Sequence, residues 1–449
     1  MVNTSTLNTW DNRSLIRLLW PLVVEQLLAV TMGAVDTIMV SSVGEAAVSG
    51  VNIIDNINNL FIIAFTALCT GGTVVVSQYI GRGETDNARS ASRQLYYVVI
   101  LAAFLVMVPA MIWRVPIIRF LYGGVTGDVM ASSSIYFFIT ALSYPFLGIY
   151  NVCAALFRSS GNSKVPMRIA FMVNCTNIAG NVLFIFGLGL GVEGAAIATL
   201  ISRIIAASVL TAMLVKSRSA IGLRGLHRIS LNRSMAARIL NVGIPSGLEG
   251  SMFQAGRLLT QRIFTSFGTA AMAGNAIASV INSFSFMPGS AYCLGLLTVV
   301  GQCIGAGDYE AAKKNTLRIM KLSWVTLFVL SGSIFLFLEP LIGLFRLRAE
   351  AHDMAKAFLQ VHCVSMVIGW TFSFALPNAL RAAGDVRFVM IAAALSMFAV
   401  RVSFAYLITF TLDAGPLGVW IAMGLDFIVR GTCYGLRWKS GRWRDKRVI

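Results

Sequence analysis

Apolar side chains recur along this chain in long runs, not in the alternating or one-faced patterns of a water-soluble fold. Each run is roughly 20 to 25 residues long, enough to cross about 30 Å of hydrocarbon as a helix. The pattern predicts twelve spans, near residues 15 to 42, 52 to 77, 90 to 113, 131 to 154, 164 to 188, 193 to 215, 238 to 266, 275 to 301, 315 to 338, 354 to 378, 387 to 411 and 415 to 434. The first is too long for a removable signal peptide, carries Glu25 and Asp36, and lacks a small-residue cleavage site.

Composition agrees with a polytopic membrane protein. Of 449 residues, 57% are hydrophobic and 12% charged, too little polar surface to cover a soluble core. The formal charge of +17 alone would suggest a nucleic-acid partner, but the position of the cations decides otherwise. Most Lys and Arg lie in the N-terminal tail, the even-numbered connections and the C-terminal tail, from Arg13 and Arg17 through Lys216 to Arg238, and on to Arg437 through Arg447. The odd-numbered connections hold only Arg114, Arg119, Arg346 and Arg348. The positive-inside rule therefore predicts that both termini are cytoplasmic, and no nucleic-acid partner is expected. The seven cysteines include no C-x-x-C pair, so neither a disulfide framework nor a zinc site is indicated. His227, His352 and His362 read as packed or solvated residues.

A shift of 224 positions lays the chain on itself: Pro21 meets Pro245, Glu25 meets Glu249, Gly44 meets Gly268, and Gln78 to Gly83 meets Gln302 to Gly307. A one-residue slip pairs Arg158 and Gly161 with Arg381 and Gly384, before the offset returns at Gly191 and Gly415. The chain reads as a duplicated six-span unit. Its expected parts are a cytoplasmic tail (1–14), a first lobe (15–215), a basic cytoplasmic linker (216–237), a second lobe (238–434) and a basic cytoplasmic tail (435–449). An even number of spans per copy relates the copies by a pseudo-twofold axis along the membrane normal, and rocking of such bundles about a central cavity gives alternating access. A large bundle built by duplication for another purpose is the alternative.

At its glycine-rich corners the chain resembles the MATE (multidrug and toxic compound extrusion) family. The resemblance is carried by Met32 to Val40, Ser77 to Gly83, Gly191 to Thr199 and Gly301 to Gly307, and extends from about residue 14 to 434. It implies an all-α membrane protein with two pseudo-symmetric six-helix lobes in a V. It also implies export of a small organic compound (drug, toxin or metabolite) in exchange for H⁺ or Na⁺, across a bacterial or archaeal inner membrane. The wording from Trp20 to Gln26 and from Gly243 to Glu249 is similar to the DinF-like branch. In the family, a first-span Asp works with an Asn and an Asp four apart in the fifth span and a Thr at the start of the sixth. The matching positions are Asp36, Asn177, Asn181 and Thr199, which the resemblance implies form the cation-coupling site. Asn181 departs from the pattern: an amide for an acid removes one negative charge from a Na⁺ cage, so H⁺ is favoured over Na⁺. No cofactor is expected, the partners are the substrate and the lipid bilayer, and the chain is expected to be a monomer.

Read from the residues, an ionised group at mid-membrane costs about 2.5 to 3.5 kcal/mol and needs a partner, a proton or water. Asp36 stands eleven residues after Glu25, about 20° beyond three full helical turns, so both share a face. A carboxylate that moves between a partly dry cavity and water exchanges protons near neutral pH, which suits coupling, with a structural hydrogen-bonding role as the alternative. Asn174, Asn177 and Asn181 form one stripe on the fifth span, and Asn52, Asp55, Asn56 and Asn59 form one on the second, with Asn58 pointing elsewhere. Such stripes line a cavity or stitch helices together.

Glu25, Asn174 and the second-span stripe are assigned to the substrate cavity, together with Glu249, Gln254, Arg257 and Gln261 of the seventh span and Arg401, which repeats Asn177. Arg257, Arg401 and a carboxylate are expected to form a buried charge network, which would admit an anionic or zwitterionic substrate were it open to the cavity. Pro21 and Pro245 each remove a helix hydrogen bond, for gating or for packing geometry. A lipid-linked precursor flippase of the same superfamily is the alternative function. A channel would need a selectivity-filter sequence. An enzyme is not expected, because no metal motif, nucleophile elbow or phosphate loop is present.

Overall fold

The computed structural model describes residues 10–123, 127–226, 230–446 and 448–449. His227, Arg228, Arg447 and most of the 1–14 tail, which entered the charge reading, lie outside them. Among the described residues the chain is all-α, without a strand. Its long elements are α1 (Asn12–Ser41), α2 (Glu45–Arg82), α3 (Thr85–Ile112), a bent pair α4 (Gly127–Leu142 and Tyr144–Ser159), α5 (Lys164–Gly187) and α6 (Gly191–Lys216). The second series is α7 (Arg233–Ser266), α8 (Gly268–Gly305), α9 (Tyr309–Leu336), α10 (Ala349–Ala382), α11 (Val386–Thr411) and α12 (Leu417–Lys439).

Ten of these are long and apolar enough to cross a membrane, and eleven when the halves of α4, which meet at 46°, count as one span. The fourth expected span is therefore not straight. Pro145 stands in the first turn after the bend, where its missing N–H leaves no helix bond unmade. α7 accounts for the difference from twelve: at 34 residues it is long enough, but Glu249, Arg257 and Arg262 make it too polar to qualify by composition.

The duplication is visible in the turns. Gly83 and Gly307 follow α2 and α8 with φ of 80° and 77°. In both copies the glycine N–H bonds the carbonyl three residues back, Ile80 at 3.0 Å and Ile304 at 2.9 Å. The next N–H reaches five residues back, Glu84 to Tyr79 and Asp308 to Cys303, both at 3.0 Å. This helix-closing pattern needs a left-handed residue, which glycine adopts without strain. Both α5 and α11 end in wide π-helical turns, over Val182–Gly187 and Leu407–Thr411, and a further one, Ser396–Val402, carries Arg401. Such turns re-aim the side chains beside them.

The chain forms two compact units, Trp20–Gly247 and Leu248–Ile449, the latter together with residues up to Leu19. The divisions fall beside Pro21 and Pro245, although α1 and α7 run helical through both prolines. The described part of the basic connection is packed. Arg89 donates to the carbonyls of Arg218 and Ser219 at 2.9 and 3.2 Å, Gln94 to that of Ser230 at 2.5 Å, and Leu223 is fully buried. Arg238 donates to the Tyr79 hydroxyl, and a Cβ at Gly71 would collide with the Ile239 carbonyl, so the start of α7 lies tight against α2. Phe65, Phe137 and Tyr144 centre the apolar core of this unit. In the other, Phe358, Trp420 and Phe427 do so. The expected basic tail is also docked: Trp443 is fully buried, stacks on Trp438 at 4.3 Å, and its neighbour Arg444 pairs with Glu310 at 2.8 Å.

Candidate functional site

In the Trp20–Gly247 unit, three helices bring four polar side chains into one chain of hydrogen bonds. Asn181 on α5 donates to the Asp36 carboxylate on α1 at 2.7 Å and to the Asn177 carbonyl oxygen, one turn back, at 3.2 Å. Asn177 in turn donates to the Thr199 hydroxyl on α6 at 3.3 Å. Asn177 and Asn181 are fully buried, and the Asn181 side-chain oxygen has no partner. Close approach of α5 and α6 makes this contact. A Cβ at Gly180 would lie 2.9 Å from the Ala198 methyl, so only a glycine lets the helices meet here. All four residues expected at the coupling site are thus neighbours.

The second-span stripe divides as expected. Asn52, Asp55, Asn56 and Asn59 are exposed, while Asn58 is buried, accepts from the Tyr144 hydroxyl at 2.7 Å and donates to Asp55 at 3.4 Å. Asn174 donates to the Leu28 carbonyl at 2.8 Å, tying α5 to α1. Sequence reasoning missed Arg203 on α6. It donates to Ser143 at 2.6 Å and lies within electrostatic reach of Asp36 and Asp55, so the cluster of carboxylates has a fixed cation. A lone arginine inside an apolar helix was the available signal.

Glu25 does not join Asp36. It is 5% exposed and accepts from Arg158 of α4 at 2.8 Å, so it is a buried ion pair and not an open cavity wall. The repeat reproduces the pair: Arg381 of α10 donates to both Glu249 oxygens at 2.6 Å. Arg158 and Arg381 read from sequence as connection residues, yet both reach into helix packing. Two spans too distant along the chain to suggest a contact supply the partners.

Of the expected C-terminal network, Arg401 meets a carboxylate, Asp426, together with Arg430, and Arg257 pairs with no carboxylate among the described residues. Asp426 of α12, fully buried, stands 3.3 Å from Arg430 and 4.0 Å from Arg401, and accepts from Ser396 at 2.5 Å. Both guanidinium groups lie over the Phe253 ring of α7, at 5.4 and 5.6 Å. Asp426 and Arg430 were missed, although an acid and a base four apart in an apolar helix mark a pair. Gln254 is half-buried, while Gln261 and Arg257 are exposed, and no carboxylate among the described residues pairs with Arg257. His362 bonds Ser285 at 2.9 Å and meets Trp420 edge-on, a packing role. All seven cysteines are free thiols, and no three acidic, His or Cys groups among the described residues are placed to hold a metal ion.

The family model described as MatE matches residues 21–183 and again residues 245–407, the two copies found in the repeat. The chain is 29% identical to "Uncharacterized transporter YisQ" of Bacillus subtilis over 96% of its own length and 95% of that protein's. It is 27% identical to "Probable multidrug resistance protein NorM" of Thermotoga maritima, covering 97% and 94%. Among solved structures, a MATE protein in a bent conformation aligns with a TM-score of 0.90 at 20% identity over 99% of this chain and 98% of that one. A MOP superfamily transporter from Pyrococcus furiosus aligns at 0.91, with 20% identity and the same coverage. The structural likeness establishes the fold.

Proposed function

We infer, from the premise that this chain belongs to the MatE family of membrane transporters, that it is a secondary active antiporter exporting a small organic compound in exchange for H⁺, with H⁺ favoured over Na⁺. It is a multi-pass membrane transporter and not an enzyme. The multidrug-resistance names of its NorM relatives support a drug or toxin as cargo. Basic residues in alternate connections support cytoplasmic termini in a cell inner membrane. The chain acts as a monomer in this reading.

The observation that carries the coupling is the hydrogen-bonded chain from Asp36 through Asn181 and Asn177 to Thr199. An ionised Asp36 accepts the Asn181 N–H; a protonated one is a poorer acceptor, so loading a proton loosens the tie between α1 and α5. That differential bonding biases a two-state equilibrium, as any coupling ion must. A Na⁺ ion would need both amides to turn their oxygens toward it and would meet one formal negative charge. Inward movement of one elementary charge contributes ~2.3 kcal/mol per 100 mV, enough to shift such an equilibrium more than tenfold. In this reading export proceeds by alternating access.

The test is efflux of a fluorescent substrate from proteoliposomes under pH and Na⁺ gradients imposed separately. Efflux should follow the pH gradient and vanish in Asp36→Asn, while insertion is retained. Unchanged efflux by that variant overturns the reading.

A further inference from the structure

We propose that the Leu248–Ile449 unit binds the carboxylate of an anionic or zwitterionic compound, with Arg257 and Arg401 as its cationic partners. The proposal rests on the exporter reading above and gives its cargo a charge.

Three arginines stand here against one acid. Asp426 serves both Arg430 and Arg401, at 3.3 and 4.0 Å, and already accepts from Ser396. Arg401 is 7% and Arg430 3% exposed, and one carboxylate leaves their combined charge unbalanced. The Nε atoms of Arg401 and Arg430 have no hydrogen-bond partner, whereas the Arg430 Nη2 faces Asp426. Unbonded guanidinium N–H groups in a dry interior are unfavourable, and an arriving anion would relieve them. Glu249 cannot serve, because Arg381 holds both of its oxygens.

Arg257 completes the cluster. It follows Phe253 by one helical turn and lies within electrostatic reach of Arg401. It is exposed and has no carboxylate within ion-pair distance among the described residues. An exposed arginine in a helix at membrane depth must meet water or a ligand, since lipid would not tolerate it, and Gln254 and Gln261 extend the same polar face. Gly256 brings α7 against α11: a Cβ there would lie 2.6 Å from the Met397 side chain. That contact sets Arg257 beside the helix that carries Arg401. A guanidinium offers a planar, two-point match to a carboxylate.

The experiment uses the purified full-length protein and one rhodamine skeleton in two forms, the zwitterionic free acid and its cationic methyl ester. Fluorescence polarisation gives the two affinities, and proteoliposomes give efflux of both. The wild type should prefer the acid by about tenfold. Arg257→Gln should collapse that ratio, and Arg257→Glu should invert it. Arg262→Gln, a nearby arginine on another face of α7, should leave the ratio alone. Arg257 bonds to no other described side chain, so its variants do not lose a structural contact. Equal wild-type affinity for the two dyes, binding of neither, or a preference that survives Arg257→Glu overturns the site. Asp36-dependent efflux of the ester without any acid preference removes this inference and leaves the exporter reading standing. An acid preference without gradient-driven efflux of either dye removes the exporter reading and leaves the site.

Discussion

The Asn181 amide donates to the Asp36 carboxylate at 2.7 Å, joining α5 to α1. An acid in place of Asn181 would set two carboxylates at that distance, where both cannot ionise without a cation between them. Asn181→Asp should therefore acquire Na⁺-stimulated efflux. Proteoliposomes with a Na⁺ gradient at matched pH provide the measurement; indifference of the variant to Na⁺ would rule out Asp36 and position 181 as a common site.

The pairs Glu25 with Arg158 and Glu249 with Arg381 are largely shielded from solvent, so removing one member strands the other. Arg158→Gln and Arg381→Gln should each destabilise the protein by about 3 to 5 kcal/mol. The double variant Glu25→Gln with Arg158→Gln should recover much of the loss. Thermal unfolding in detergent checks this. Single and double variants that melt alike would mean the pair is not coupled.

Gly180 governs the spacing of α5 and α6. Gly180→Val should push against Ala198, lower stability by about 1 to 3 kcal/mol and part Asn177 from Thr199. Coupled efflux should fall more than insertion does. Full efflux with normal stability would show that the helices accommodate the added methyls.

Asp11 supplies a pH-dependent cap. It accepts from the Ser14 N–H at 2.8 Å and from the Ser14 hydroxyl at 2.6 Å, and these bonds hold its carboxyl below the usual range. A lowered native value means the contribution is present above the ordinary carboxylate pKa of about 4 and is lost as pH falls through the native value. Hydrogen exchange of the Ser14 amide, corrected for intrinsic rate, should show protection near neutral pH that fades on acidification. Asp11→Ala should lack it throughout; equal protection in that variant would remove the cap.

Features set within one helix or one repeat were legible from the chain. The i, i+4 spacing of Asn177 and Asn181 requires only helix geometry, and the glycines that pair at the 224 offset mark turns whose φ values permit little else. Contacts set by helix crossings were not. Glu25 and Arg158 lie 133 residues apart, and nothing local in either segment names the other. The carboxylate expected beside Arg401 comes from α12, as Asp426, and nothing local to α7 or α11 names it. Arg203 was hidden in the opposite way: a single cation in a long apolar run does not change the span it interrupts.

The division beside Pro21 and Pro245 has a consequence for biosynthesis. A nascent chain that has emerged as far as residue 226 contains every span of the first repeat, yet it lacks Ile239 and Gly243, the backbone against which Gly71 packs. Until the second repeat has begun to leave the ribosome, Gly71 lacks that packing partner. A gene cut between the repeats would divide a folding unit across two polypeptides, and joint expression would have to rebuild it by complementation. Duplication set the sequence period, but the compact units run out of step with it.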